Sequence, residues 1–198
     1  KQINELEGKE EERAKQQVEK IGNLSNYLSS WAEIFVSSNK LGKFGEDQLE
    51  KYLKLNGFVE GVDFKKQESF ISEDDEKKIP DYVVYLPGGG VVAIDCKAPL
   101  SEFRNAAEEE DITKREQLFK KHAKKVRSRA VELAQDEYPK AILGNHLRSP
   151  NFVIMFLPHD VFYLKAVEED SSLIEEALNK FGKQKGSPVI LTSPGTLN

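Results

Sequence analysis

Residues 80–97 read PDYVVYLPGGGVVAIDCK, and the fold turns on this stretch. Two β-branched and aromatic runs, Tyr82–Leu86 and Val91–Asp95, flank Pro87-Gly88-Gly89-Gly90, which is the composition of a β-hairpin. A hairpin folded symmetrically about Gly88 sets Tyr85 opposite Val91 and Asp81 opposite Asp95. Directly opposed residues point to one face with Cβ atoms about 5 Å apart. Side chains alternate along a strand, so Lys97 returns to the face of Asp95 while Cys96 points away. The stretch therefore predicts two carboxylates and an ammonium in one cluster. The competing reading is a surface hairpin with an Asp–Lys ion pair.

Adjacent carboxylates repel unless a proton or a cation lies between them. Mg2+ (or Mn2+) suits such a pair, because a hard ion takes oxygen ligands, keeps several waters and needs only one or two carboxylates beside substrate phosphate. The Cys96 carbonyl is a further candidate ligand. An ion held there polarises a phosphoryl oxygen and lowers the pKa of a bound water. Lys97 is placed to orient that water or offset transition-state charge.

Working outward, Leu41–Leu55 reads as an amphipathic helix with Leu41, Gly45, Leu49, Tyr52 and Leu53 on one face. With Leu41 as origin, Glu46 falls at ~140° and Glu50 at ~180°, against an apolar face centred near ~40°. Glu46 thus flanks the buried face and is the third candidate acid. Glu50 is expected in solvent, and Glu68 is a weaker rival. Phe64–Ile71 reads as a strand and Ser72–Lys78 as a charged loop. Thr113 to Glu116 matches a capping box opening a long helix to about Glu137, with Phe119, Ala123, Val126, Ala130 and Leu133 inward. Phe152–Leu157 is a buried strand, Val161–Phe181 a helix and Val189–Thr192 a last strand. That alternation predicts an α/β sandwich around a mixed sheet.

The long helix is crowded with basic residues. With Phe119 as origin, His122, Lys125 and Arg129 fall near ~300°, ~240° and ~280°, on one flank. Together with Lys121 and Arg127 they form a candidate nucleic-acid surface, since such a stripe can track a phosphate backbone. A solvated Lys-rich face is the plainer explanation. The net charge of -5 gives no global attraction to nucleic acid, so a DNA site must be a local patch. One cysteine, Cys96, excludes an internal disulfide and a cysteine-rich zinc site. No apolar run approaches the ~18 residues of a membrane span, and a cytoplasmic location is expected. An anchor upstream of Lys1 stays open.

The N-terminal residues 1–38 form a separate extension before a domain spanning 39–198. Lys1–Lys20 is polar on every side: an exposed helix, a coiled-coil end or disorder. Ile21, Leu24, Leu28, Trp31 and Phe35 then recur at helical spacing. That helix either docks on the domain or pairs with another chain, which would make a homo-oligomer.

Several short segments, taken in order, resemble the RmuC family of DNA recombination proteins. They are Gly42-Lys43-Phe44-Gly45-Glu46, Gly61-Val62-Asp63-Phe64, Pro80-Asp81, Leu86-Pro87-Gly88-Gly89, Ile94-Asp95-Cys96-Lys97, His122, Val126-Arg127, Tyr138-Pro139, Phe152–Pro158 and Ser193-Pro194. The resemblance runs from about Leu41 to the end. It implies a restriction-endonuclease-like, PD-(D/E)xK nuclease fold and a bacterial role in limiting DNA inversion. It also implies an active site of Glu46, Asp81, Asp95 and Lys97, with DNA as partner and Lys1–Phe35 as the end of a coiled coil. Cys96 stands where that family commonly has serine, Arg129 where a second histidine is common, and His159 where an acidic stretch is usual. Three functions follow: a Mg2+-dependent endonuclease, a non-catalytic DNA-binding module of the same fold, or a scaffold that recruits a partner through its N-terminal helix.

Overall fold

Gly88 and Gly89 turn the chain at φ of 89° and 87°, a left-handed backbone that glycine adopts without strain. They join β4 (Tyr82–Tyr85) to β5 (Val91–Asp95) in an antiparallel pair running from Tyr85 opposite Val91 to Tyr82 opposite Ile94. This is the register that symmetry about Gly88 predicts. The computed structural model describes residues 41–72, 75–96, 100–136, 138–143, 148–183 and 186–197. Expectations for the extension 1–38, and for Lys97, lie outside these residues.

The hairpin sits inside a five-stranded mixed sheet of order β1-β4-β5-β6-β7. β1 (Phe64–Lys66) pairs antiparallel with β4, while β6 (Val153–Phe156) runs parallel to β5 and β7 (Val189–Thr192) parallel to β6. One face of the sheet is covered by α1 (Leu41–Leu55), whose Leu49 and Leu53 pack on Phe64, Tyr82, Ile94 and Phe156. The other face carries α2 (Leu100–Glu108), α3 (Ile112–Gln135), α5 (Asp160–Glu169) and α6 (Leu173–Leu178) over Val83, Ala93, Val153, Met155 and Leu191. A short α4 (Tyr138–Leu143) precedes β6. The α/β expectation is met at this level: a mixed sheet flanked by helices.

Four expectations need correction. The strand expected over 64–71 is broken at Gln67, whose φ is 50°. Its second part, β2 (Phe70–Ile71), pairs instead with β3 (Lys77–Lys78), inside the expected loop. α2 falls where no element was expected. The helix expected over 161–181 breaks at Asp170–Ser172 into α5 and α6, followed by a 3-10 turn at Lys180–Gly182. The N-cap of α3 is Asp111, whose carboxylate accepts from Lys114 N at 2.9 Å, and not Thr113, which lies inside the helix.

The cap assignment is testable by urea denaturation. Asp111→Ala should lower stability by about 1 kcal/mol, the usual cost of losing an aspartate cap. Thr113→Ala should change it by a few tenths at most, and the opposite ranking would return the cap to Thr113.

Candidate active site at the end of the hairpin

Asp95 ends β5 and is 1% exposed. It follows Val91 and Ala93 onto the face under α3, whereas Cys96 joins Ile94 on the face under α1. A carboxylate this deep has to be compensated. Arg129 of α3 does so: its Nη2 lies 3.0 Å from Oδ1 and its Nε 3.4 Å from Oδ2. Nη1 meanwhile reaches Glu132 at 3.0 Å, nearer the surface. Burial acts to lower the Arg129 pKa, but hydrogen bonding to Asp95 and its charge outweigh that and raise it.

Asp81 lies one residue before β4, next to the last register pair, Tyr82 opposite Ile94. Its Oδ2 accepts from the backbone N–H of Cys96 at 2.8 Å, tying the two arms together at their open end. Both aspartates act on the same neighbours. The Cys96 thiol is pushed well up by burial and then by Asp81, Asp95 and Glu46, which leaves it protonated and unreactive. The Tyr138 hydroxyl is pushed up to about 12 by burial and then by Asp136, Asp95 and Asp81.

Glu46 approaches from the other face. The Tyr82 hydroxyl donates to its backbone carbonyl at 2.9 Å, and its charge is felt at the Cys96 thiol. Gly45 permits this approach. A Cβ there would stand 3.2 Å from Cys96 O and 3.3 Å from Cys96 Sγ. Glu50 departs from expectation: its side chain is only 19% exposed, held by Lys54 at 2.5 Å and by Lys66 from β1. Glu68 is tied to Tyr85 and to Lys65, toward the far end of β4.

The donor chemistry decides whether a hard divalent ion suits these groups. Asp81 and Asp95 offer carboxylate oxygens, the ligands Mg2+ takes, and one or two suffice when waters and substrate phosphate complete the shell. The fit is to that pair. Among the described residues no three His, Cys, Asp or Glu side chains gather closely enough to hold an ion. Arg129 also lies along the Asp95 carboxylate.

The five residues of the expected nucleic-acid surface do not share one exposed face. His122 is fully buried, its Nε2 3.1 Å from Phe162 O and its ring against Phe103, so it cannot meet a phosphate. Arg127 is bound to Asp170 at 2.5 and 2.7 Å and to Glu176 at 2.6 Å. It clamps α3 to the α5–α6 break. Lys121 is exposed, and Lys125 is 53% exposed while pairing with Glu102 of α2. Arg129 points into the acidic site. It, Tyr138 and Asp136 are site residues the sequence reading did not assign there. Arg129 carried a signal, since it lies three residues from Val126 and four from Leu133, on the buried side of α3.

Sheet, hairpin and charge cluster together define an α/β protein with paired aspartates at a strand end, one of them neutralised from a covering helix. The chain belongs to the RmuC family, whose family model matches residues 1–198. It is 30% identical to the DNA recombination protein RmuC of Salmonella typhimurium over 100% of this chain and 41% of that protein. It is 31% identical to the RmuC homolog of Pasteurella multocida (91% of this chain, 35% of that protein). The RmuC homolog of Haemophilus influenzae is 32% identical (88% and 37%). The chain thus spans less than half the length of these relatives. No solved structure matches it.

The Arg127 clamp has a pH signature. Arg127→Ala should lower stability by about 1–2 kcal/mol, the value of hydrogen bonds to charged groups reduced for partial exposure. The Arg127 hydrogen bond holds the Asp170 carboxyl below its ordinary value. A lowered carboxylate pKa stabilises above the unfolded value, about pH 4, and that stability is lost as pH falls through the folded value. Denaturation of both proteins should show a gap at neutral pH that narrows as the pH falls below about 4. A gap unchanged at acid pH would mean packing, not charge, is lost.

Proposed function

We propose that this chain is a DNA-processing domain that hydrolyses phosphodiester bonds with a divalent ion, on a restriction-endonuclease-like fold, in the service of recombination. The observation that carries this reading is the hairpin register, whose last pair, Tyr82 opposite Ile94, leaves Asp81 and buried Asp95 next in line at the same end. Support for DNA as substrate comes from the relatives, which are named DNA recombination proteins. Among the described residues no helix is long and apolar enough to cross a membrane.

Asp81 and Asp95 would hold Mg2+ or Mn2+, with Glu46 approaching from α1 as a ligand through water. Bound there, the ion would supply Lewis-acid polarisation and a water of lowered pKa. The Cys96 N–H fixes the Asp81 carboxylate, so one oxygen stays oriented. Lys97 would sit on the Asp95 side of the strand and offset charge at the phosphoryl oxygens. Lys114, Lys121 and Lys124, all exposed along α3, would hold the backbone without reading bases.

A second reading is favoured by one observation. Arg129 already neutralises Asp95, which is how a non-catalytic DNA-binding module of this fold would stabilise its retained aspartate. Mutants of the carboxylate separate the two. Asp95→Asn should abolish Mg2+-dependent cleavage of labelled DNA while binding in Ca2+ persists. Lys97→Ala should slow cleavage roughly a hundred- to a thousand-fold, the usual worth of such a group. Lys121→Ala with Lys124→Ala should flatten the salt dependence of binding by about one unit per lost contact. Binding without cleavage by the wild type on every DNA structure would establish the non-catalytic module.

A further inference from the structure

We propose that Arg129 is a displaceable internal cation, occupying the Asp95 carboxylate until a DNA phosphate draws its guanidinium away and admits a divalent ion. This rests on the nuclease reading above and adds the condition under which its site loads.

The geometry carries the inference. Arg129 lies along Asp95 with Nη2 3.0 Å from Oδ1 and Nε 3.4 Å from Oδ2, so one cation already spans both oxygens. Asp95 is 1% exposed and has little other surface to offer. A guanidinium and a divalent ion cannot share that edge, because like charges a few ångströms apart in a poorly solvated site repel strongly. Arg129 also has somewhere to go. Its side chain is 21% exposed, and Nη1 is already 3.0 Å from Glu132, whose side chain is 63% exposed. Outward rotation therefore exchanges a buried partner for a surface one.

The approach is also laid out. Lys121, Lys125 and Arg129 are four residues apart on α3, a row with steps of about 6 Å. Lys121 and Lys125 are exposed, Lys125 in an ion pair with Glu102 that a phosphate has to replace, and Arg129 ends the row at Asp95. A phosphate backbone held by the two lysines would bring its next phosphates to Arg129. The guanidinium fork matches two phosphate oxygens as well as it matches a carboxylate. By linkage, DNA and the divalent ion must then favour each other by the same factor.

Calorimetric titration of the full chain with Ca2+ tests this without cleavage, since Ca2+ takes the same oxygen ligands. Wild type should bind Ca2+ weakly, and a 20-base-pair duplex should tighten that binding at least tenfold. Arg129→Gln should bind Ca2+ without DNA as tightly as wild type does with it, and the duplex should then add less than twofold. Asp95→Asn should remove binding in every background. Arg129→Lys keeps the charge but loses the fork, and should fall between wild type and Arg129→Gln. It serves if Arg129→Gln proves unfolded by circular dichroism. Folded Arg129 variants that bind Ca2+ no tighter than wild type, with Asp95→Asn still abolishing binding, would overturn the displaceable cation and leave the nuclease reading standing. No Ca2+ binding by any of these proteins, with or without DNA, would overturn both.

Discussion

A negative charge buried at the end of β5 governs how this molecule is arranged. Asp95 is nearly inaccessible, and an isolated buried carboxylate is costly enough that it must be neutralised, paired or metal-bound. Arg129 supplies that pairing from α3, 34 residues later in the chain. Removing one partner of such a pair typically costs about 3–5 kcal/mol, because the other charge is stranded. The pair therefore does more than decorate the site. It fixes the rotation of α3 on the sheet, and with it the packing of Val126, Ala130 and Leu133, which are all fully buried. On the same helix, Arg127 reaches the opposite way to Asp170 and Ser172 and sets where α5 gives way to α6.

What the sequence disclosed was local. The hairpin register is set by the glycine turn and by alternation, so the pairs from Tyr85 opposite Val91 to Tyr82 opposite Ile94 could be read from a dozen residues. α1 matched its expected bounds, Leu41–Leu55, because its stripe is uninterrupted and Asn56-Gly57 ends it. What escaped were features decided by partners. α2 is nine residues long, and its apolar marks are few: Leu100, Phe103, Ala106 and Ala107. Missing it misplaced the flank of α3. Phe103 lies 5.5 Å from Phe119 and 5.4 Å from His122, so the side taken as a nucleic-acid face is in part a helix interface. The break between α5 and α6 was hidden for a similar reason. Asp170 and Ser172 read as ordinary polar helix residues until Arg127 is placed beside them.

Glu46 and Glu50 show the same boundary inside one helix. The wheel set Glu50 in solvent because it could not see β1. Lys66 reaches over from that strand and, with Lys54, holds Glu50, whose carboxyl lies below its ordinary value chiefly through the Lys54 hydrogen bond and then that of Lys66. Glu46 lies where its charge reaches the Cys96 thiol, and the missing side chain of Gly45 beside it lets the helix close on the strand end. A propensity argument places a residue on a face, while the identity of what covers that face comes only from tertiary structure.

The acidic end of the hairpin thus combines rigid and adjustable parts. Asp81 is fixed by a backbone N–H that cannot move without opening the hairpin. Tyr138 is buried and stays neutral at physiological pH, because burial and then the charges of Asp136, Asp95 and Asp81 oppose its ionisation. The thiol of Cys96 is held neutral by the same causes and faces away, so it competes for neither substrate nor ion. Among the described residues of the site, Arg129 combines a long flexible stem, partial exposure and a second acceptor nearer the surface. Among the described residues at this site, Asp81 is held by a backbone N–H and the Tyr138 and Cys96 side chains stay neutral, so a change in charge at Asp95 falls first on Arg129.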